Sequence, residues 1–191
     1  MNSLSGRLIL VCGVAGVGKT RLIKSTVERD PTRVVWSAGE IIGEARRIDH
    51  RDLLRTLPAD ELMHSQELLV RGIQARRVAT PDAIVLLDGH SVIDTDQGLF
   101  DVPLDIVRRL APMGVIYVSD RVEQILERRR ADAARARPER SLAQLSEYQD
   151  RSIARCRDYQ KGLTIPLSVV TSGDEEGFDR AVGSMLEASR R

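Results

Sequence analysis

The chain has 191 residues, enough for one domain with a substantial core and short for two. Hydrophobic residues make up 42% and charged residues 30%, a balance that excludes a disordered chain, and no run approaches the roughly 20 apolar residues of a membrane span. Twenty-nine basic residues against 28 acidic ones leave a net charge of +1, so bulk charge selects no polyanion, and neither nucleic acid nor a membrane is an expected partner.

Arg7–Cys12 is a continuous apolar run ending at Gly13, which predicts a central parallel strand buried on both faces. Lys19–Arg29 reads as a helix with Leu22, Ile23 and Val27 on one side, ended by Asp30-Pro31. Val34–Trp36 is a short strand, Glu40–Arg47 a helix, and His50–Pro58 a polar, basic connection. Pro58 opens a longer helix to about Val78, with Asp60 and Glu61 in its first turn, where they meet the positive end of the dipole. Ile84–Asp88 is a second apolar strand, ending in a carboxylate. Pro103–Leu110 is a helix, Val115–Val118 a strand, and Arg121–Ala136 a helix on which Arg128 and Arg135, seven apart, share a face. Ser141 and Gln144 have capping-box spacing and start the next helix, on which Arg151 and Arg155 share a face. Leu167–Val170 is the last strand and Glu175–Ala188 the last helix. Strands alternating with helices predict an α/β fold: five parallel strands covered by helices on both faces.

Cys12 and Cys156 stand outside any CxxC pair, so no disulfide framework or zinc site is expected and a reducing cytoplasm suits the chain. Cys12 is expected to pack as a small apolar residue at a strand end. The short run Leu8–Cys12 has no extended basic segment before it and no small-residue cleavage site after it, so no signal peptide is expected.

Gly13-Val14-Ala15-Gly16-Val17-Gly18-Lys19-Thr20 fits the phosphate-binding pattern G-x-x-x-x-G-K-[ST] at every fixed position, between a buried strand and a helix. The glycines let backbone N–H groups approach phosphate oxygens, and the following helix adds the positive end of its dipole. Lys19 is expected to reach the β and γ phosphates of ATP, and Thr20 to offer its hydroxyl to Mg²⁺. Asp88, closing an apolar strand, is the candidate acid that holds Mg²⁺ through water.

These residues, with others in order along nearly the whole chain, resemble the archaeal-type adenylate kinases. The loop resembles that family's, with Ala15 in place of Pro. His50-Arg51-Asp52-Leu-Leu-Arg55-Thr-Leu57-Pro58 resembles its Asp-Arg-Asp-x-x-Arg-x-Leu-Pro segment, and Asp88-Gly89-His90 its Asp-Thr-His. Glu127–Arg137 resembles its lid, and Gly173-Asp174 the pair before its last helix. The resemblance implies a single P-loop kinase domain over residues 1–191, with an acceptor-binding insertion at about 37–80 and a lid at about 128–141. It implies transfer of a γ-phosphoryl group from ATP to a nucleoside monophosphate, AMP in the type case. Arg55 would hold the acceptor phosphate, with Gln66 and His90 also on the substrate side. Arg128, Arg135 and Arg137 would close on the phosphates, and Arg151 would be a further transition-state arginine. Relatives of this kind can be trimeric, so a homo-oligomer stays open.

The departures cluster on the acceptor side. Asp94 stands where the family carries a second acceptor-phosphate arginine, and an uncompensated carboxylate there would repel a monophosphate. Ala131 replaces the arginine before the lid Asp, and Phe100-Asp101-Val102-Pro103 replaces Pro-Gly-Leu-Pro. Asp94 or Asp96 could instead accept a proton from a hydroxyl, which would make the acceptor a nucleoside or other small alcohol, or Asp94 could be a surface turn residue. A third reading is an NTP-driven assembly factor whose arginines grip RNA or protein. Alternating acids and the scarcity of aromatics argue against it.

Overall fold

The computed structural model describes residues 7–48, 51–132, 135 and 137–189. Five strands form one parallel sheet in the order β2-β3-β1-β6-β7: β1 (Arg7–Cys12), β2 (Arg33–Ser37), β3 (Ile84–Asp88), β6 (Gly114–Ser119) and β7 (Leu167–Thr171). The expected α/β architecture is the one found. No helix among the described residues is long and apolar enough to cross a membrane.

The unbroken apolar run of β1 follows from burial on both faces. Leu8, Leu10 and Cys12 face one core, and Ile9 and Val11 face the other. The first core is closed by α2 (Ala38–Arg46), α3 (Ala59–Ala79), α4 (Leu104–Leu110) and the later part of α6 (Leu142–Leu163). The second is closed by α1 (Lys19–Arg29), α5 (Val122–Ala131), α7 (Glu175–Ala188) and the first turns of α6. Aromatics being scarce, the three tyrosines are spent as fasteners. Tyr117 Oη donates to the Gln149 carbonyl at 3.0 Å, Tyr148 Oη to Val92 O at 3.1 Å, and Tyr159 Oη to Val102 O at 2.6 Å. Each phenol buries its ring and still finds an acceptor. Cys12 is buried in the first core together with Cys156.

Four expectations are corrected. The helix predicted over Arg121–Ala136 ends at Ala131. Arg128, Arg129 and Arg130 crowd its last turn, where cations are favoured, and Asp132 follows, where a carboxylate meets the negative end of the dipole and helix is disfavoured. Arg128 and Arg135 therefore share no helical face. Second, an antiparallel hairpin of β4 (Val92–Thr95) and β5 (Gly98–Asp101) lies beside the main sheet, where no strands were expected. Third, the connection before Pro58 contains a 3-10 helix, Arg51–Thr56. Fourth, the second helix begins at Ala38, because Ser37 caps it by accepting the Glu40 N–H. His50 of the predicted connection, and Ala133, Ala134 and Ala136 of the predicted lid, lie outside the described residues.

The long helix α6 starts where the sequence says it should. Ser141 Oγ accepts from Gln144 N, and Gln144 Oε1 accepts from Ser141 N at 2.9 Å. Ser141→Ala removes one half of this box at an exposed position and is expected to cost about 1 kcal/mol. Thermal denaturation should show Tm lower by about 2–4 °C. An unchanged Tm would mean the box contributes nothing.

Candidate functional site

Parallel pairing sets Val11 against Asp88, and the Gly89 N–H donates to Val11 O at 3.0 Å. The loop after β1 and the carboxylate after β3 thus emerge side by side at the carboxyl edge of the sheet, where open α/β sheets bind ligands. Val14 and Val17 are fully buried and seat the loop on the second core. All three of its glycines take positive φ. Gly13 has φ 153° and a Cβ there would come within 2.6 Å of Val118 O, and Gly16 has φ 90° with the Arg129 stem 2.6 Å from the Cβ position. Gly18 precedes α1 without a side-chain cap, so the first amides of α1 are left for a ligand.

Lys19 is only 6% exposed. Its Nζ donates to Gly13 O at 3.1 Å and stands 3.7 Å from Asp88 Oδ1. Burial lowers its pKa, and the Asp88 carboxylate opposes that. Thr20 Oγ1 donates to Asp88 Oδ2 at 2.9 Å. His90 Nδ1 lies 3.0 Å from Gly13 O, and since a carbonyl only accepts, that nitrogen carries the proton. Burial, then the nearby Lys19 charge, push the His90 pKa down to about 3, so the ring is neutral.

One cavity of about 520 Å³ is lined by the loop, Lys19, Thr20 and Asp88, and equally by Arg55, Gln66, His90, Asp94, Arg128 and Arg135. Arg135 lies beyond the end of α5, yet its charge acts on both Lys19 and His90. Arg128 donates to Val17 O at 3.0 Å and to Asp120. Arg137 also lines the cavity, and its Nε and Nη1 are buried with no hydrogen-bond partner among the described residues. Arg55 pairs with Asp96, whose N–H donates back to Arg55 O at 3.1 Å. Arg151 is not among the cavity residues. Its Nε donates to Asp101 at 2.7 Å on a half-exposed surface of α6.

Asp94 departs furthest from expectation. It is neither a surface turn residue nor an uncompensated carboxylate, because it sits buried on β4. Arg129 Nη2 donates to Oδ2 at 2.9 Å, and Arg140 donates to Oδ1 through Nη2 at 2.8 Å and Nε at 3.1 Å. Arg129 and Arg140 were not singled out from sequence. The signal was there: a carboxylate replacing an arginine, in a chain with three successive arginines at 128–130.

A family model described as an AAA domain matches residues 12–146. The adenylate kinase of Methanoculleus marisnigri is 32% identical over 173 residues, spanning 85% of this chain and 88% of that protein. The chain belongs to the archaeal-type adenylate kinase family. The adenylate kinase of Methanothermobacter thermautotrophicus is 27% identical over 183 residues, covering 94% and 97% of the two chains. That of Pyrococcus abyssi is 24% identical over 186 residues, covering 94% and 93%. Membership of this adenylate kinase family makes the chain a phosphotransferase.

His90 gives this site a pH signature. Its pKa is 6.5 ordinarily and about 3 in the fold. Below 6.5 the unfolded chain takes up a proton that the folded chain refuses, so stability present above that pH is lost as pH falls toward 3. The contribution is on the order of 1 kcal/mol per pH unit. Urea denaturation at pH 7, 6 and 5 should show a flatter loss for His90→Asn than for the parent. Parallel slopes would show that His90 does not titrate this way.

Proposed function

We propose that this protein transfers the γ-phosphoryl group of ATP to AMP, giving two ADP. One observation carries the reading: the clasp of loop, Lys19, Thr20 and Asp88 shares a single cavity with Arg55 and the arginines after α5. The loop amides and Lys19 would hold the β and γ phosphates, and Arg55 would grip the acceptor phosphate in bidentate fashion. Arg128, Arg135 and Arg137 would neutralise charge on the transferring group. The unpartnered Nε and Nη1 of Arg137 fit an anion still to come. Gln66, buried in the cavity wall, is available to the acceptor's base. Arg151, tied to Asp101 outside the cavity, has no part in this account.

The touching Thr20 hydroxyl and Asp88 carboxylate are a hard-oxygen set that fits Mg²⁺, an ion that keeps several waters and binds through few protein groups. When bound, Mg²⁺ would neutralise phosphate charge. In the transfer an acceptor phosphate oxygen attacks the γ phosphorus, and the bond to the β–γ bridging oxygen breaks. The attacking oxygen is already anionic, so no base is needed. The candidate bases for a hydroxyl acceptor are already engaged: both Asp94 oxygens are taken by the guanidinium groups of Arg129 and Arg140, and Asp96 pairs with Arg55. That argues against a hydroxyl acceptor. The same two arginines answer the repulsion a lone Asp94 would exert on a monophosphate.

Incubation with ATP, Mg²⁺ and AMP should yield ADP well above the rate with ATP alone. Lys19→Met should lower kcat on the order of 10²-fold or more. Arg55→Met should raise the acceptor KM by about 10- to 100-fold, the worth of a charged hydrogen bond. Absence of turnover with every nucleoside monophosphate would defeat the reading.

Asp96 occupies Arg55 before any acceptor arrives. Asp96→Asn removes this partly exposed competitor and should lower the acceptor KM roughly two- to fivefold, the worth of a surface ion pair. An unchanged KM in steady-state kinetics would show that the pair does not compete with substrate.

A further inference from the structure

We propose that Asp94 is a positioning residue that ties both ends of the segment between Arg129 and Arg140 to the phosphate loop. The inference deepens the kinase reading and rests on it, since that segment carries Arg135 and Arg137.

The carboxylate is 3% exposed and each oxygen has its own guanidinium. Arg129 comes from the last turn of α5, and Arg140 immediately precedes the Ser141 cap of α6. One hairpin residue thus anchors the last fixed point before the segment and the first fixed point after it. Each arginine spends its remaining donors locally. Arg129 Nη2 also donates to Pro138 O at 2.7 Å, and Arg140 Nη2 to Thr95 O at 3.0 Å. Arg129 reaches the loop as well. Its Nη1 lies 3.5 Å from Ala15 O, and its stem fills the space a Gly16 side chain would need. The chain of contact therefore runs from β4 through Asp94 and Arg129 to the loop, and through Arg140 to α6. Asp94 itself is held in depth by Tyr148, which bonds Val92 O two residues away.

The charges add up. Two guanidinium groups around one carboxylate leave the cluster at +1, so the field at this end of the cavity stays positive despite Asp94. Neither arginine is among the cavity-lining residues, so they act by holding the segment rather than by touching phosphate. Displacing such a segment by about 1 Å is enough to cost on the order of 10²-fold in rate.

The test compares Asp94→Asn, Asp94→Glu and the double variant Asp94→Leu with Arg129→Met, using ATP and AMP as substrates. Asp94→Asn should lower kcat about 10²-fold while the KM for ATP stays within about threefold, because the loop amides and Lys19 remain. Asp94→Glu should recover part of kcat. If Asp94→Asn fails to fold, the double variant, which removes the carboxylate together with the more deeply buried of its two arginines, decides the matter. Parental Tm with kcat still depressed supports the proposal, and parental kcat overturns it. Backbone hydrogen exchange of residues 130–141 with ATP bound gives an independent readout. Faster exchange in Asp94→Asn or the double variant than in the parent supports the anchoring, and equal exchange overturns it. Should the parent fail to phosphorylate any nucleoside monophosphate, the kinase reading falls and the exchange result alone judges Asp94.

Discussion

A lysine cannot be taken almost wholly out of water unless something answers its charge, and the site is organised around that requirement. Lys19 is lowered in pKa by burial and sustained by Asp88. The two meet only because β1 and β3 are adjacent and parallel, with Val11 opposite Asp88. A register slip of one residue would point the neighbouring side chains of β1 to the wrong cores and carry Asp88 away from the loop. The apolar alternation of Leu8, Ile9, Leu10 and Val11 between two cores therefore fixes the geometry of the candidate site as well as the fold. Thr20 and His90 attach to the same pair of groups, Asp88 and Gly13 O, so the clasp is one connected polar cluster at the sheet edge.

Much of this was legible in sequence because the signals were local. A parallel strand buried on both faces has to be apolar throughout, and a phosphate loop needs glycines where φ is positive, so β1, the loop, β3 and Asp88 could be read directly. The capping box at Ser141 was legible for the same reason. The hairpin was not. Its strands are four residues each, carry Asp94 and Asp101, and are held by α6 through Tyr148 and Tyr159, partners about 50 residues away in sequence. The helix after Arg121 was read too long because its arginines suit a helix interior as well as a helix end, and the cost of Asp132 at the negative pole is small against that.

Arginines were the hardest to sort, for a physical reason. A guanidinium serves equally for phosphate, for carboxylate or for a backbone carbonyl, and its long stem hides which one it reaches. Three arginines of α5 and α6 have three different fates. Arg128 bonds Val17 O and Asp120, Arg129 is buried against Asp94, and Arg151 spends itself on Asp101 at the surface. Only the position of the acids separates these cases, and Asp94 and Asp101 belong to the hairpin that sequence did not reveal.

The cluster around Asp94 carries a net charge of +1, set by two guanidinium groups and one carboxylate. A cation that the family pattern puts on the strand after Asp-Thr-His is replaced by a carboxylate, and two cations close in on it from the ends of the neighbouring helices. In a medium of low polarity such a carboxylate is tolerable only with both arginines in place, since a buried charge left unanswered is strongly destabilising. On the proposed kinase reading, the arrangement fastens hairpin, phosphate loop and the segment that carries Arg135 and Arg137 through Arg129 and Arg140, which lie outside the cavity wall.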